Sequence, residues 1–291
     1  MTINWKVVQE DFSFTDFEIL STLGSGGFGT CYEAKYKTTH VCVKKLDRTS
    51  KKKAATQSFQ AETKEEFFNF SHPNIVKLLA ASPANLLSTD AVVADLVMVF
   101  EFIEGRNLQS LLDDHEEDIG ASEMLRFGHE IASALDYVNG FHIAHLDLKP
   151  ANVMVTPDGL CKLADFGCSQ YIEEDPVTPT RSCLTGTFAY RAPELLRGGS
   201  PSAKCDVYAL GICLWQFWSR EFPFSGMQQH AVIFRVVKSN LRPEFNKDKP
   251  IDPSYKDLTT RCWSADPCAR PSLQEVMETL TFMKDPTDLH R

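Results

Sequence analysis

His145-Leu146-Asp147-Leu148-Lys149-Pro150-Ala151-Asn152 decides how this chain is read. The stretch follows the pattern H-R-D-L-x-x-x-N at full spacing, with one departure: Leu146 stands where the pattern has arginine. Eighteen residues past Asp147 comes Asp165-Phe166-Gly167, and later Ala192-Pro193-Glu194. Each tripeptide is common by chance, but the ordered set at these separations is not.

Working outward toward the amino terminus, Gly24-Ser25-Gly26-Gly27-Phe28-Gly29 fits G-x-G-x-x-G. Alone that motif is ambiguous, because a dinucleotide fingerprint shares it; the fingerprint, however, needs a helix directly after the glycines. Here Thr30–Tyr36 reads as strand, so the loop joins two antiparallel strands and folds over its ligand as a flap. The Gly-Lys-Ser/Thr ending of a P-loop is missing. Glycine suits such a flap because the backbone must approach phosphates closely in conformations that a Cβ forbids. Val41-Cys42-Val43-Lys44 follows on the next strand, with Lys45 pointing to the opposite face. A helix over 56–70 offers Glu62, Glu65 and Glu66 as partners for Lys44; Glu62 is favoured and Glu66 is the alternative.

Together these motifs resemble the protein kinase superfamily, over a span from about Phe17 to about Leu280. The resemblance implies an α+β, bilobal fold, with a strand-rich N-lobe of one helix over 1–103 and a helical C-lobe over 104–291. It implies phosphoryl transfer from ATP to protein hydroxyls, in which catalysis is positioning plus electrostatic stabilisation. Asp147 would accept the hydroxyl proton, and Asn152 and Asp165 would hold Mg²⁺ through oxygen ligands. Lys149 would sit near the γ-phosphate, marking the serine/threonine class, with Thr187 beside the substrate. Lys44 would hold the α- and β-phosphates and pair with Glu62. Leu23, Gly24, Gly26, Gly27, Gly29 and Cys31 would cover the nucleotide. The backbone of Glu101 and Ile103 would bond the base, with Phe100 as a bulky gatekeeper. His145 would pack against Phe166, Glu194 and Arg270 would form a buried ion pair, and Asp206 would fix the catalytic loop from below.

Composition narrows the remaining classes. A chain of 291 residues fits one large domain or two packed lobes. No apolar run approaches the roughly 18 residues of a membrane span, and the amino terminus lacks a signal-peptide layout. Net charge of −9 argues against nucleic-acid binding. The nine cysteines are scattered without CxxC spacing, a pattern that suggests neither a zinc site nor a secreted disulfide framework. A cytoplasmic monomer is expected, with neither membrane nor nucleic acid as partner. The basic run Lys51-Lys52-Lys53 beside Arg48 reads as a solvated loop, with partner docking as the alternative.

Within the superfamily the chain is similar to the Mos family of serine/threonine kinases. Ser58-Phe59-Gln60-Ala61-Glu62, Ala80-Ala81-Ser82, the leucine-bearing catalytic loop and Asp165-Phe166-Gly167-Cys168-Ser169 carry the likeness. Arg191-Ala192-Pro193-Glu194-Leu195-Leu196, Leu241-Arg242-Pro243 and Arg261-Cys262-Trp263 extend it. It implies an activator of MAP kinase kinase in oocyte meiotic maturation. The rival readings are another serine/threonine kinase, Raf-like or mixed-lineage, and a pseudokinase binding module. Leu146 has one further implication. The usual arginine helps a phosphate order the activation segment, and leucine has no donor. Phosphorylation of Thr178, Thr180, Ser182 or Thr185 is therefore not expected to be the main switch.

Overall fold

Period-two alternation builds the first sheet. Ala34, Val41 and Val43 point to one face and are buried with Phe17, Ala80, Val97 and Val99. The structure, a computed structural model, describes residues 14–26, 29–46, 52–82, 96–172 and 187–284. It divides into two compact units, Met1–Glu104 and Gly105–Arg291.

In the first unit, β1 (Glu18–Ser25), β2 (Gly29–Tyr36), β3 (Thr39–Leu46), β4 (Leu78–Ala81) and β5 (Val97–Glu101) form one sheet in the order β1-β2-β3-β5-β4. Every neighbouring pair in it is antiparallel. The glycine loop closes the β1–β2 hairpin through Gly26 N–H to Gly29 O, 2.8 Å. Gly29 is needed by the sheet itself: a Cβ there would lie 2.3 Å from the carbonyl oxygen of Lys45 on β3. Strand β4 is shorter than the apolar run Ile75–Ala81 suggests, because its pairing with β5 begins only at Leu78.

The helix expected over 56–70 is two helices, α1 (Lys52–Glu62) and α2 (Glu65–Asn69). Both the N–H and the hydroxyl of Thr63 bond to Phe59 O, and Lys64 turns extended at ψ 148°. A threonine that satisfies the last-turn carbonyl with its own side chain competes with continuation of the helix. In α1 the buried residues Ala55, Ser58, Phe59 and Glu62 recur at helical spacing.

The second unit contains α3 (Leu108–Asp113), α4 (Ala121–Asn139), α5 (Pro193–Leu196), α6 (Ala203–Ser219), α7 (Gln229–Ser239), α8 (Pro253–Cys262) and α9 (Leu273–Lys284). Local chemistry sets several starts. Asp252 caps α8 by accepting from Ser254 and Tyr255 N–H. Ser272 and Glu275 exchange reciprocal bonds at the head of α9. Helix α6 is buried on all sides from Cys205 to Trp218, as befits the centre of a helical unit. Gly211 permits this, since a Cβ there would meet the Cβ of Cys262 on α8 at 2.8 Å.

The sequence reading of this half as helical missed short strands. β6 (Arg106–Asn107), β8 (Val153–Val155) and β9 (Cys161–Leu163) form one ribbon, and β7 (Ile143–Ala144) pairs with β10 (Gln170–Tyr171). Two- and three-residue strands carry too little periodicity to be read from sequence. They nevertheless clamp both ends of the catalytic loop.

Candidate active site

The segment 145–152 runs from β7 to β8 as an irregular loop ending in a 3₁₀ turn, Pro150–Asn152. Leu146 lies at φ 64° and Asp165 at φ 61°, a left-handed conformation that costs L-residues energy and needs outside support. Asp206, fully buried on α6, supplies that support at Leu146. Its two carboxylate oxygens accept the N–H groups of His145 and Leu146, each at 2.8 Å. Burial raises the Asp206 carboxyl above its ordinary range, opposed by His145 and by these two bonds. His145 is also buried; its ring meets Phe166 edge-on at 4.7 Å and its Nε2 lies 3.1 Å from Ala164 O.

Around Asp147 the polar groups converge. Its Oδ2 accepts from Lys149 Nζ at 2.9 Å and from Asn152 Nδ2 at 3.1 Å, and its Oδ1 accepts from Thr187 N–H at 3.3 Å. Lys149 also donates to Thr187 Oγ1 at 3.0 Å. Three donors, two from the same loop and one from Thr187, fix the plane of this carboxylate, which is the geometric requirement for a group that must aim a substrate hydroxyl. Asn152 uses its amide N–H₂ on Asp147, leaving its carbonyl oxygen as the atom suited to a cation. Asn152 O accepts from Ala164 N–H at 2.9 Å, which ties Asn152 to the residue preceding Asp165. Asn152 and Asp165 together offer oxygen donors alone, the chemistry of a site for a hard divalent ion. Leu146 shares the lining of one small pocket with the apolar Leu148, Ala192 and Leu195 and with the charged Asp147, Arg191 and Asp206, so the position usually basic is here leucine with Arg191 close by.

In the first unit, Lys44 Nζ donates to Glu62 Oε1 at 2.5 Å, with both side chains buried. Glu65 is exposed and Glu66 half-buried on α2. The break after Glu62 leaves that carboxylate at the end of α1. Sequence reasoning missed Ser58, whose hydroxyl donates to the same Glu62 oxygen at 3.1 Å. Its spacing of four residues from Glu62 on one helix was the available signal.

Leu23 is exposed on β1, and a Cβ at Gly24 would touch nothing within 4 Å. A Cβ at Gly26 would meet only Gly29 O, at 3.9 Å. The chain itself therefore does not demand glycine at either position. Cys31 on β2 lies opposite Lys44, and Phe100 on β5 lies opposite Cys42. Glu101 gives its N–H to Lys77 O at 3.0 Å and its Oε1 accepts Lys77 N–H, while Ile103 follows the strand's end. Gly27, Phe28, Arg48, Lys51, residues 83–95 and the hydroxyl residues Thr178, Thr180, Ser182 and Thr185 lie outside the described residues.

Away from Asp147, Arg270 grips Glu194 with two parallel bonds of 2.6 and 2.8 Å. Burial pushes the Glu194 carboxyl up, but the bond and charge of Arg270 outweigh it and hold the group below its ordinary range.

The protein kinase domain family matches residues 17–282. The serine/threonine-protein kinase mos of Patiria pectinifera is 42% identical over 283 residues, spanning 94% of this chain and 77% of that protein. Its counterpart in Xenopus laevis is 36% identical, across 90% of this chain and 74% of the other. The proto-oncogene serine/threonine-protein kinase mos of Sus scrofa is 35% identical, across 91% and 80%.

Proposed function

The chain belongs to the protein kinase family and, within it, to the Mos serine/threonine kinases, and on that premise we propose that it phosphorylates MAP kinase kinase with Mg²⁺-ATP, as a cytoplasmic monomer acting in oocyte meiotic maturation. As a protein serine/threonine kinase it acts on protein substrates and uses ATP with a divalent metal. The observation that carries the chemical part is the Asp147–Lys149–Asn152–Thr187 cluster. The similarity to Mos kinases carries the choice of substrate.

In this reading Asp147 orients the substrate hydroxyl in line and takes its proton as the oxygen becomes a nucleophile. Lys149, held by Asp147 and Thr187, keeps a positive charge where negative charge builds on the transferred group. Asn152 and Asp165 would hold Mg²⁺, which supplies neutralisation of the phosphate oxygens. Lys44, aimed by Glu62 and Ser58, anchors the α- and β-phosphates. Gly24 and Gly26, where a Cβ would meet almost nothing, keep room for that nucleotide.

The test is phosphate transfer by the purified chain to MAP kinase kinase, set beside a generic basic protein. Incorporation on serine or threonine of MAP kinase kinase should dominate. Asp147→Asn should lower turnover by about 10²- to 10⁴-fold, the usual share of a positioned base. Equal or better use of the generic protein would overturn the substrate assignment; undiminished turnover in Asp147→Asn would overturn the mechanism.

A further inference from the structure

Strands β2 and β3 pair with Cys31 opposite Lys44 and Glu33 opposite Cys42. Directly opposed residues share a face, and alternation along each strand places Cys31, Cys42 and Lys44 on the same side. The other side carries the buried Ala34, Val41 and Val43. Cys31 and Cys42 are thus diagonal neighbours on one face of the sheet, beside the phosphate-anchoring lysine. Both are partly exposed, as is Cys168, and Cys268 is exposed, whereas Cys161, Cys205, Cys213 and Cys262 are buried. The Cys42 thiol is pushed up well above its ordinary range, first by its neighbour Cys31 and then by burial.

Two thiols at diagonal positions on paired strands present what a single cysteine cannot: two soft sulfur donors for one acceptor atom. We propose that Cys31 and Cys42 form a vicinal dithiol site for a soft thiophilic centre of the trivalent-arsenic class, and that filling it prevents nucleotide from using Lys44. With an organoarsenic(III) oxide, two As–S bonds form while two S–H bonds and the As–O bonding break. The oxygen leaves as water with both protons, and arsenic remains trivalent, so nothing is oxidised or reduced. The dithiol chemistry stands on the register of β2 and β3; its consequence rests on the nucleotide role assigned to Lys44 above.

The experiment treats the reduced full chain with phenylarsine oxide and reads intact mass and nucleotide binding. One adduct per chain should survive excess 2-mercaptoethanol and be removed by 2,3-dimercaptopropanol, since only a second dithiol competes with a chelate. Cys31→Val and Cys42→Ala should each lose the monothiol-resistant adduct, and Cys268→Ser should keep it. ATP binding, followed by calorimetry, should vanish in the adduct and return after dimercaptopropanol. A resistant adduct persisting in Cys31→Val/Cys42→Ala, or none forming on the unaltered chain, overturns the site. An adduct at these cysteines that leaves ATP binding intact overturns the blocking role. Failure of the untreated chain to bind ATP would instead strike the proposed function, while the mass readout would still judge the dithiol site.

Discussion

Two buried ion pairs among the described residues, Lys44–Glu62 and Glu194–Arg270, differ in how completely they are held. Arg270 donates through Nη1 and Nη2 to Glu194, through Nη1 again to Lys204 O, and through Nε to Ser264 O. Its guanidinium also lies 5.1 Å from the centre of the Tyr208 ring, which faces Arg242 as well at 4.9 Å. The planar fork matches the carboxylate and leaves the cation no freedom. Lys44 instead meets Glu62 through one amine on a flexible stem, and Ser58 supports the carboxylate rather than the lysine. A point charge on a movable stem can hold its partner and still serve phosphates. The difference teaches that burial alone does not mark a pair as structural; the geometry of the cation and the number of bonds around it do.

Substitutions can break that contrast. Arg270→Ala should have the largest effect, a stability loss of about 3–5 kcal/mol, because it strands the Glu194 charge. Chemical denaturation would measure it, and a loss like that of an ordinary surface change would place the two pairs in one class. Glu62→Gln should follow with about a 100-fold fall in kcat, the scale of misplacing a catalytic group by an ångström. Its melting temperature should stay near that of the parent, since the amide oxygen still accepts from Lys44 and Ser58. Unfolding without a loss of turnover would reverse the distinction drawn above.

Acid should sharpen the contrast further. Because Glu194 is held below its ordinary range in the folded chain, its stabilising contribution is present above the range where an unfolded glutamate titrates. That contribution fades as pH falls through the folded-state value. The melting-temperature advantage over Glu194→Gln should therefore be full near neutrality and shrink progressively in acid. An advantage that grows in acid would contradict the sign. Ser58→Ala should cost about 1 kcal/mol of positioning, roughly fivefold in kcat. Smallest of all, alanine at Thr178, Thr180, Ser182 and Thr185 together should leave turnover unchanged, because Leu146 offers a phosphate no donor. A collapse of turnover would show that another cation takes the arginine's place.

Much of the site was legible because its chemistry needs particular residue types at fixed separations. Asp147, Asn152 and Asp165 must supply oxygens and Lys44 a cation, and the intervals between them survive in the linear order. Which glutamate meets Lys44 was legible only as a preference for Glu62 over Glu66, since Glu62, Glu65 and Glu66 all sat in one apparent helix. The choice fell to Thr63, whose hydroxyl ends α1 and leaves Glu62 buried. The partners of Asp147 were equally hidden: Thr187 lies forty residues away, and its N–H reaches Asp147 only through the folded chain.

The sequence by itself determined the family and the α+β class and singled out the candidate reacting groups, because those rest on residue identity and spacing. Only the tertiary structure decided that Asp206 holds the His145 and Leu146 amides, that Ser58 steadies Glu62, and that Cys31 and Cys42 lie diagonally on one face. Such contacts depend on strand register and on where a helix stops. Both are settled by competition among packing and hydrogen bonds across the whole unit, which no local stretch of residues records.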